Sequence, residues 1–433
     1  MLKKWLSAAL AVLFIIGFIW ISGVPRDSFF ELLVLFTLLF SIYSAGLIWR
    51  VEFSPWAIVG LFLLVRIPFF FHLPLLSDDF YRFLWDGMLI NEGFLPWGRV
   101  PVQEKLYNFN DPNFARLLLA NMNSSEYASV YPTFNQLIFG VSYFLSGPYL
   151  KTGVNIMRSF FVLTELAFLI LLYLRSPKKI RHIVAYLLNP LVVIEGVGNL
   201  HFEAFLVPFL AYALLVFDFK KYRHAAILWG SAILVKLTPL ILAPALFFKT
   251  QRPQRLAFLG VSVAVVCFFM AMVQPWSASG GLENGLGLYF FKFEFNASVY
   301  YAISQFLIFN IGYNPIGIVG PILGLVSLMS ILFISYRYKH ADVFELSLVI
   351  YVVFLLLSTT VHPWYIIPVV LLALCSERYF ILIWAYAVFF SYSHYYETLE
   401  PKWNYIVLEY ALLFIAIILE NQRRKWLQPA FRG

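Results

Sequence analysis

The sequence predicts an all-α polytopic membrane protein, and three observations support this fold class. Of the 433 residues, 61% are hydrophobic and only 12% are charged, and the mean hydropathy is +0.80, far from the values of a soluble domain. Apolar runs of about 20 residues, the length that a helix needs to cross a membrane, recur along the chain. Short clusters of Lys and Arg separate the runs, which is typical of cytoplasmic loops.

The same features exclude other classes of protein. The net charge of +8 does not indicate nucleic-acid binding, because the basic residues lie in short clusters between apolar runs. Cys267 and Cys375 lie inside apolar runs, so neither a disulfide framework nor a thiolate metal site is expected. Lys3 and Lys4 precede an apolar run without an obvious cleavage site, which predicts an uncleaved first transmembrane helix.

The runs predict about 12 transmembrane helices in a single domain, residues 1–433, with no separate soluble domain. In chain order, the predicted spans are 5–22, 29–49, 55–71, 154–174, 180–197, 202–217, 255–273, 315–335, 343–358, 364–375, 379–395 and 403–420. Three further apolar segments are expected to form short re-entrant or juxtamembrane helices: 134–145, 225–248 and 299–311. In the second of these, Lys236 and Pro239 disfavour an unbroken lipid-facing helix, so two short helices should meet there.

The basic clusters predict the orientation of the chain. They all fall on one side of an inner (plasma) membrane if both termini are cytoplasmic. The conspicuous polar motifs then share the extracytoplasmic side, where residues 72–132 form a large loop with juxtamembrane helices. Because ionisable residues at a bilayer are costly to place, their convergence predicts a functional cavity.

An acidic motif opens this loop, with the sequence Leu76-Ser77-Asp78-Asp79-Phe80-Tyr81-Arg82-Phe83-Leu84-Trp85-Asp86-Gly87. The like charges of two adjacent acids tend to raise one pKa, which favours a proton acceptor. Ser-Asp-Asp is also a good helix start, so the spacing leaves the capping and the catalytic role open for both acids. Arg82 and Asp86 are four residues apart and are expected to pair, which would orient Arg82.

Other motifs add polar side chains on the same side. Lys236 occupies a proline-interrupted membrane position, which function explains better than packing. His201 and Glu203 are too few for a metal site, so contact with a substrate hydroxyl is expected. His362 begins the sequence His-Pro-Trp-Tyr, which is typical of an aromatic belt and also suits sugar stacking or phosphate binding.

The polar motifs follow one another in a recognisable order. They are residues 77–87, Glu92-Gly93, Tyr131-Pro132, Asn189-Pro190, Gly198-Asn199-Leu200-His201-Phe202-Glu203-Ala204, Val235-Lys236-Leu237-Thr238-Pro239, Phe295-Asn296-Ala297-Ser298 and His362-Pro363-Trp364-Tyr365. This order resembles that of the polyprenol-phosphate-sugar-dependent glycosyltransferases of the GT-C superfamily. The resemblance is greatest to a bacterial mannosyltransferase-like group related to the catalytic subunit of GPI mannosyltransferase I.

The resemblance implies a GT-C fold and transfer of a hexose, mannose in this group, from a polyprenyl-phosphate donor to a lipid or glycan acceptor on the extracytoplasmic face. It also implies that an acid of the first large external loop is the base. The leading Asp of the family's Asp-x-Asp motif falls on Asp78, whereas its second Asp falls on Phe80 and this chain offers Asp79 instead. The expected catalytic residue is Asp78, the first choice, or Asp79.

The expected chemistry is an inverting single displacement, in which the base removes the proton of an acceptor hydroxyl and the lipid phosphate leaves. Cations are expected to stabilise the departing phosphate, Lys236 and Arg82 first and His362 third. The residues expected to bind substrate are Arg82, Asn199, His201, Glu203, Lys236, Asn296, His362 and Tyr365. No cofactor is required, although paired acids leave a divalent metal open.

Two other functions fit parts of the pattern. A transporter or flippase would use the acids and Lys236 as an ion relay, but the chain shows no repeated half and its polar motifs gather on one face. An O-antigen ligase or polymerase is expected to have an external loop rich in Arg and His, whereas this loop begins with acids.

Overall fold

The computed structural model describes residues 2–49, 54–175, 180–273, 293–396 and 403–427, most of which are helical. The helices are α1 (Leu2–Ile21), α2 (Phe29–Ile48), α3 (Pro55–Leu64), α4 (Asp79–Asn91), α5 (Pro112–Asn121), α6 (Thr133–Ser146), α7 (Leu150–Arg175), α8 (Ile180–Leu187), α9 (Pro190–Gly198), α10 (Phe202–Asp218), α11 (Tyr222–Val235), α12 (Ala243–Lys249), α13 (Arg255–Val273), α14 (Val299–Ile311), α15 (Ile316–Arg337), α16 (Val343–Leu356), α17 (Ile367–Cys375), α18 (Phe380–Ala387) and α19 (Trp403–Leu427). Within the described ranges, β-type pairing is confined to one bridge between Phe295 and Thr360. The predicted all-α fold class is confirmed.

Several helices are apolar enough to lie in a membrane. Among the described residues, four are also long enough to cross it alone: Phe29–Ile48, Leu150–Leu174, Ile316–Arg337 and Trp403–Arg423. The bent pair α8 and α9 makes a fifth if it is one span. Shorter apolar helices of 10–17 residues are Ser7–Ile21, Pro55–Phe71, Thr238–Lys249, Val343–Leu356, Pro363–Cys375 and Phe380–Tyr395. The protein is therefore membrane-embedded, but helix length does not confirm the predicted count of about 12 crossings.

The predicted span 180–197 is bent by 58° between α8 and α9. The bend falls at Asn189-Pro190, where the proline lacks an N–H and disfavours helical backbone in the residue before it. The Asn189 side chain caps the new helix by accepting from the Leu191 N–H at 3.0 Å. The end of α9 and the following loop are thereby directed toward the acidic loop.

The predicted break at Lys236 is confirmed. Helix α11 ends at Val235, Lys236 is extended with φ −150° and ψ 148°, and a 3₁₀ turn begins at Thr238. Such irregular backbone at membrane depth requires protein or a watery cavity beside it. Lys236 therefore extends its ammonium from a fixed break rather than from a helix face.

An aromatic cluster holds the acidic helix α4 against α6 and α10. Phe83 stacks on Phe139 with ring centroids 4.6 Å apart, and Phe202 meets both rings edge-on. Gly87 allows the close approach of α4 and α6, because a Cβ there would collide with the carbonyl oxygen of Phe139. The acids at the start of α4 are thus fixed relative to the His201–Glu203 segment.

A buried ion pair joins two of the apolar helices. Arg66 Nε lies 2.8 Å from Glu165 Oε2 on α7, and both side chains are only 1% exposed. Arg66 also donates to the carbonyls of Phe62 and Leu187. Because an ion removed from water needs such partners, the pair fixes how α7 and α8 pack beside the end of α3.

Candidate functional site

The two adjacent acids have different surroundings. Asp78 occupies the N-cap position of α4 but makes no capping hydrogen bond with its side chain. Instead its Oδ2 pairs with Arg26 Nη2 at 2.6 Å, with both side chains one-third exposed. The Ser77 hydroxyl accepts from the Asp79 N–H at 3.3 Å. Asp78 is therefore a partner of Arg26 rather than the helix cap.

Asp79 lies in a more enclosed position. Its Oδ1 accepts from Asn123 Nδ2 at 3.1 Å, and its Oδ2 lies 3.5 Å from the Tyr131 hydroxyl. Burial raises the pKa of Asp79 above its ordinary value, while the Asn123 hydrogen bond and the charge of Lys236 oppose the rise. A carboxylate in this environment is a stronger base than one in water.

Lys236 lies at the centre of the charged groups. Its Nζ donates to Glu203 Oε1 at 2.5 Å and lies 5.7 Å from the centroid of the Tyr365 ring. Its positive charge also acts on Asp79 and His362. The break after α11 therefore brings one cation close to both the acidic loop and the His-Pro-Trp-Tyr segment.

Four aromatic rings form a column beside this cation. His201 stacks on Trp364 at 3.5 Å between centroids, Trp364 on His362 at 4.3 Å, and His362 on Phe295 at 4.5 Å. Burial and the charge of Lys236 lower the pKa of His362 to about 3 and lower that of His201 as well. Both imidazoles are neutral at pH 7, so they stack as uncharged rings and can form neutral hydrogen bonds.

Glu195 adds a second buried carboxylate behind the column. It accepts from the Tyr392 hydroxyl at 2.6 Å, and its Oε2 lies 3.4 Å from His201 Nε2. The side chains of Glu195 and His201 are nearly fully buried. The Glu195 carboxylate therefore lies next to the imidazole at the inner end of the ring column.

The family of the protein follows from its sequence match. The sequence model of the MptA_B family, described as alpha-(1->6)-mannopyranosyltransferase, N-terminal domain, matches residues 32–251. The chain belongs to this family. It is thus a glycosyltransferase of the mannosyltransferase type, in agreement with the resemblance seen in its motifs. No curated protein and no solved structure matches the chain.

The matched region supplies part of the candidate site. It contains both acids of the loop, together with Glu203 and Lys236. The rings of His362 and Trp364 come from beyond it, as do Tyr365, Tyr392 and Phe295. Arg26 precedes it.

Three of the residues predicted to bind substrate have structural partners in the mannosyltransferase. Arg82 is 2% exposed, pairs with Asp86 at 2.8 Å as predicted, and donates to the carbonyls of Ser124 and Tyr127. Asn199 accepts from the Leu76 N–H at 3.0 Å and donates to the carbonyl of Ile194. These two side chains hold the acidic loop in place.

The third, Asn296, is fully buried and donates to Glu409 Oε2 at 2.9 Å. Its backbone carbonyl accepts from the Tyr410 hydroxyl at 2.6 Å. Asn296 therefore ties the loop that carries Phe295 to α19. The other predicted residues lie together in the candidate site, and they are His201, Glu203, Lys236, His362 and Tyr365.

Arg158 supports the site and was not predicted from the sequence. From the middle of α7 it donates to the carbonyls of Val197 and Gly198 at the end of α9, and to those of Phe69 and His72 ahead of the acidic loop. The sequence nevertheless contained a signal for Arg158, because an ionisable residue inside an apolar span is costly unless it has a role. Glu409 was missed in the same way, Glu195 was noted only as the first residue of the polar segment 195–203, and Arg26 lies in the loop between α1 and α2, where its charge gave no such signal.

The carboxylates and imidazoles of the candidate site do not form a metal-ligand cluster among the described residues. Within the described residues of the mannosyltransferase, no group of three or more His, Cys, Asp or Glu side chains is arranged to hold a metal ion. The charged groups of the site are instead arranged as carboxylate–cation pairs, Asp78 with Arg26 and Glu203 with Lys236.

Proposed function

We propose that this mannosyltransferase transfers mannose from a polyprenyl-phosphate donor to a hydroxyl of a lipid or glycan acceptor. The family description supports an α-(1→6) product, so the acceptor would offer a primary 6-hydroxyl. Transfer takes place on the extracytoplasmic face of an inner (plasma) membrane. The fold proposed is one GT-C domain of about 12 crossings, with both termini cytoplasmic.

The base in this proposal is Asp79 rather than Asp78. Asp79 lies in an enclosed position where its pKa is raised, and the charge of Lys236 acts on it, whereas Asp78 is neutralised by Arg26. This contrast between two adjacent carboxylates is the observation that carries the proposal. Asp79 removes the proton as the acceptor oxygen bonds to the anomeric carbon, the bond from that carbon to phosphate oxygen breaks, and polyprenyl phosphate leaves. A single displacement inverts the anomeric carbon, so an α product requires a β-linked donor.

Two cations are available for the leaving phosphate. Lys236 and Arg26 are each paired with one carboxylate, and a phosphate can replace that carboxylate as the partner. Charge that grows on the leaving oxygen is stabilised by cations already in position. Because the phosphate is also anionic in the bound donor, part of the effect should appear as donor affinity.

The ring column supports binding of the sugar. Trp364 and His362 are only partly buried, and the Nδ1 atom of His362 has no hydrogen-bonding partner in the described part of the chain. Both faces of each of these two rings are covered by neighbours in the column, so the sugar would meet the ring edges. The column therefore provides the uncharged wall of the site.

Replacing Lys236 with Ala should raise the donor KM by about 10- to 100-fold, the range for loss of a hydrogen bond to a charged group. The measurement is the initial rate of transfer against donor concentration. Glu203→Gln should not raise the donor KM, because it removes the carboxylate that competes for Lys236. An exposed lysine at the other end of α11, Lys221, supplies the matched Ala control. Equal donor KM values in the Lys236→Ala and wild-type enzymes would remove Lys236 from donor binding.

The pH dependence of kcat/KM should report the environment of Asp79. A base acts in its ionised form, so activity should fall as the pH falls through the pKa of Asp79, which burial raises above its ordinary value. Asn123→Ala removes a hydrogen bond that lowers this pKa. It should therefore move the acid limb of the pH–kcat/KM profile to higher pH. Asn121→Ala, in the same loop, should leave the limb in place. An acid limb that Asn123→Ala does not move would argue against Asp79 as the titrating base.

The experiment that tests the function is transfer from radiolabelled polyprenyl-phosphate-mannose by the purified enzyme, with a membrane lipid extract as acceptor. A labelled product whose mannose is α-linked is expected with the β-linked donor and not with the α-linked donor. Glucose and arabinose donors should transfer less label. Absence of transfer from all donors, in a folded preparation, would contradict this donor class and leave the transporter hypothesis to be tested by solute uptake.

A further inference from the structure

A cavity lies apart from the charged site. It measures about 110 Å³, is partly open, and is lined by residues of α1, α2, α3 and α8. Phe14, Tyr43, Leu61 and Ala185 form its buried walls. The Tyr43 hydroxyl is already bonded to the Ala185 carbonyl at 3.0 Å, so the wall is largely apolar.

This cavity is at the opposite end of the bundle from the sugar-transfer site. It is lined by Ser7 near the start of α1, Gly46 near the end of α2 and Arg181 in the first turn of α8. The charged site instead lies near Arg26, after the end of α1, and Asn199, after the end of α9. A ligand in the cavity therefore takes no part in sugar transfer.

A basic side chain borders the apolar cavity. Arg181 lines it and is exposed, and Lys178 and Lys179 precede it in the sequence. Basic pockets between membrane helices bind the anionic head groups of lipids. Most of the other lining side chains are apolar, so the interior suits part of a hydrocarbon chain.

We propose that this cavity binds one anionic phospholipid, with part of an acyl chain between the helices and its phosphate at Arg181. The combination of an apolar interior with a cation at its border selects this occupant over a zwitterionic lipid. The site is separate from the proposed donor site and does not depend on the proposed function.

The test measures lipid retained by the full-length enzyme after delipidation and incubation with palmitoyl-oleoyl phosphatidylglycerol, by native mass spectrometry. Wild type should retain one phosphatidylglycerol, and phosphatidylcholine should not displace it. Gly46→Leu should abolish retention, because a Cβ at Gly46 meets no atom within 4 Å and the added side chain fills open space. Arg181→Gln should weaken retention about fivefold, as expected for one basic residue near a head group.

Matched controls are available at both positions. Gly317 also has open space around its Cβ position and lies outside the cavity, so Gly317→Leu should bind as wild type. Arg223 is exposed, and Arg223→Gln should also leave retention unchanged. Retention in Gly46→Leu equal to wild type would overturn the proposal. Displacement of phosphatidylglycerol by equimolar polyprenyl phosphate would also overturn it, since the cavity would then belong to the donor.

Discussion

Asp79→Asn should lower kcat for mannosyl transfer by about 10²- to 10⁴-fold, the usual contribution of a positioned general base. The amide keeps the shape of the carboxylate but cannot accept the hydroxyl proton. Donor affinity should stay within a few-fold of wild type, because Lys236 and Arg26 are retained. The effect is measured as single-turnover transfer together with donor binding at equilibrium.

Two neighbouring acids serve as comparisons for this variant. Asp78→Asn releases Arg26 from its ion pair, so it should change donor affinity more than kcat. Asp27 is an exposed acid next to Arg26 in the sequence, and Asp27→Asn should leave both quantities unchanged. If Asp78→Asn abolished turnover while Asp79→Asn remained active, the roles assigned to the two acids would have to be exchanged.

Arg158→Met should lower the free energy of unfolding by at least about 3 kcal/mol, because each buried carbonyl left without its donor costs about 1–3 kcal/mol. The guanidinium donates to four backbone carbonyls and to the Asn155 side chain, and methionine would leave these acceptors without their donor. The two chain segments it joins precede the acidic loop and the His201 segment. Transfer activity should therefore fall as well.

The measurement is thermal unfolding of the purified enzyme in detergent, with residual activity followed in parallel. Arg158→Lys should have an intermediate effect, because an ammonium has three donor hydrogens and cannot reproduce the planar fork of arginine. Exposed Arg223 provides the control, and Arg223→Met should unfold at the wild-type temperature. Equal stability of the Arg158→Met and wild-type enzymes would show that water or backbone shifts satisfy these carbonyls.

The fold class and the break at Lys236 were predictable, because hydrophobic composition and an interior proline act locally. The lengths of the helices were less predictable. Segments such as 55–71 read as continuous apolar runs, but their proline residues introduce 3₁₀ turns that shorten the regular helix. The bend at Asn189-Pro190 has the same cause.

The membership of the site was predictable only in part. Residue type identified Asp79, Glu203, Lys236 and His362 as polar groups in costly positions, and the structure brings their segments together. The sequence could not show which polar side chains already form hydrogen bonds with backbone groups, as those of Asn199 and Arg82 do. It also could not show that Arg26 neutralises Asp78, because that contact joins residues 52 positions apart.

Most rings of the column come from a later part of the chain than most of the charged groups do. The acids, Lys236 and His201 lie within the matched residues 32–251, whereas Trp364, His362 and Phe295 come from the later part of the chain. In the proposed site, most of the charged groups and most rings of the column are therefore encoded in separate stretches of sequence that meet only in the folded protein. Under that proposal, changes in the later stretch would alter which sugar is accepted more than they alter proton transfer. Chimeras joined after residue 251 are the natural way to exchange selectivity between relatives.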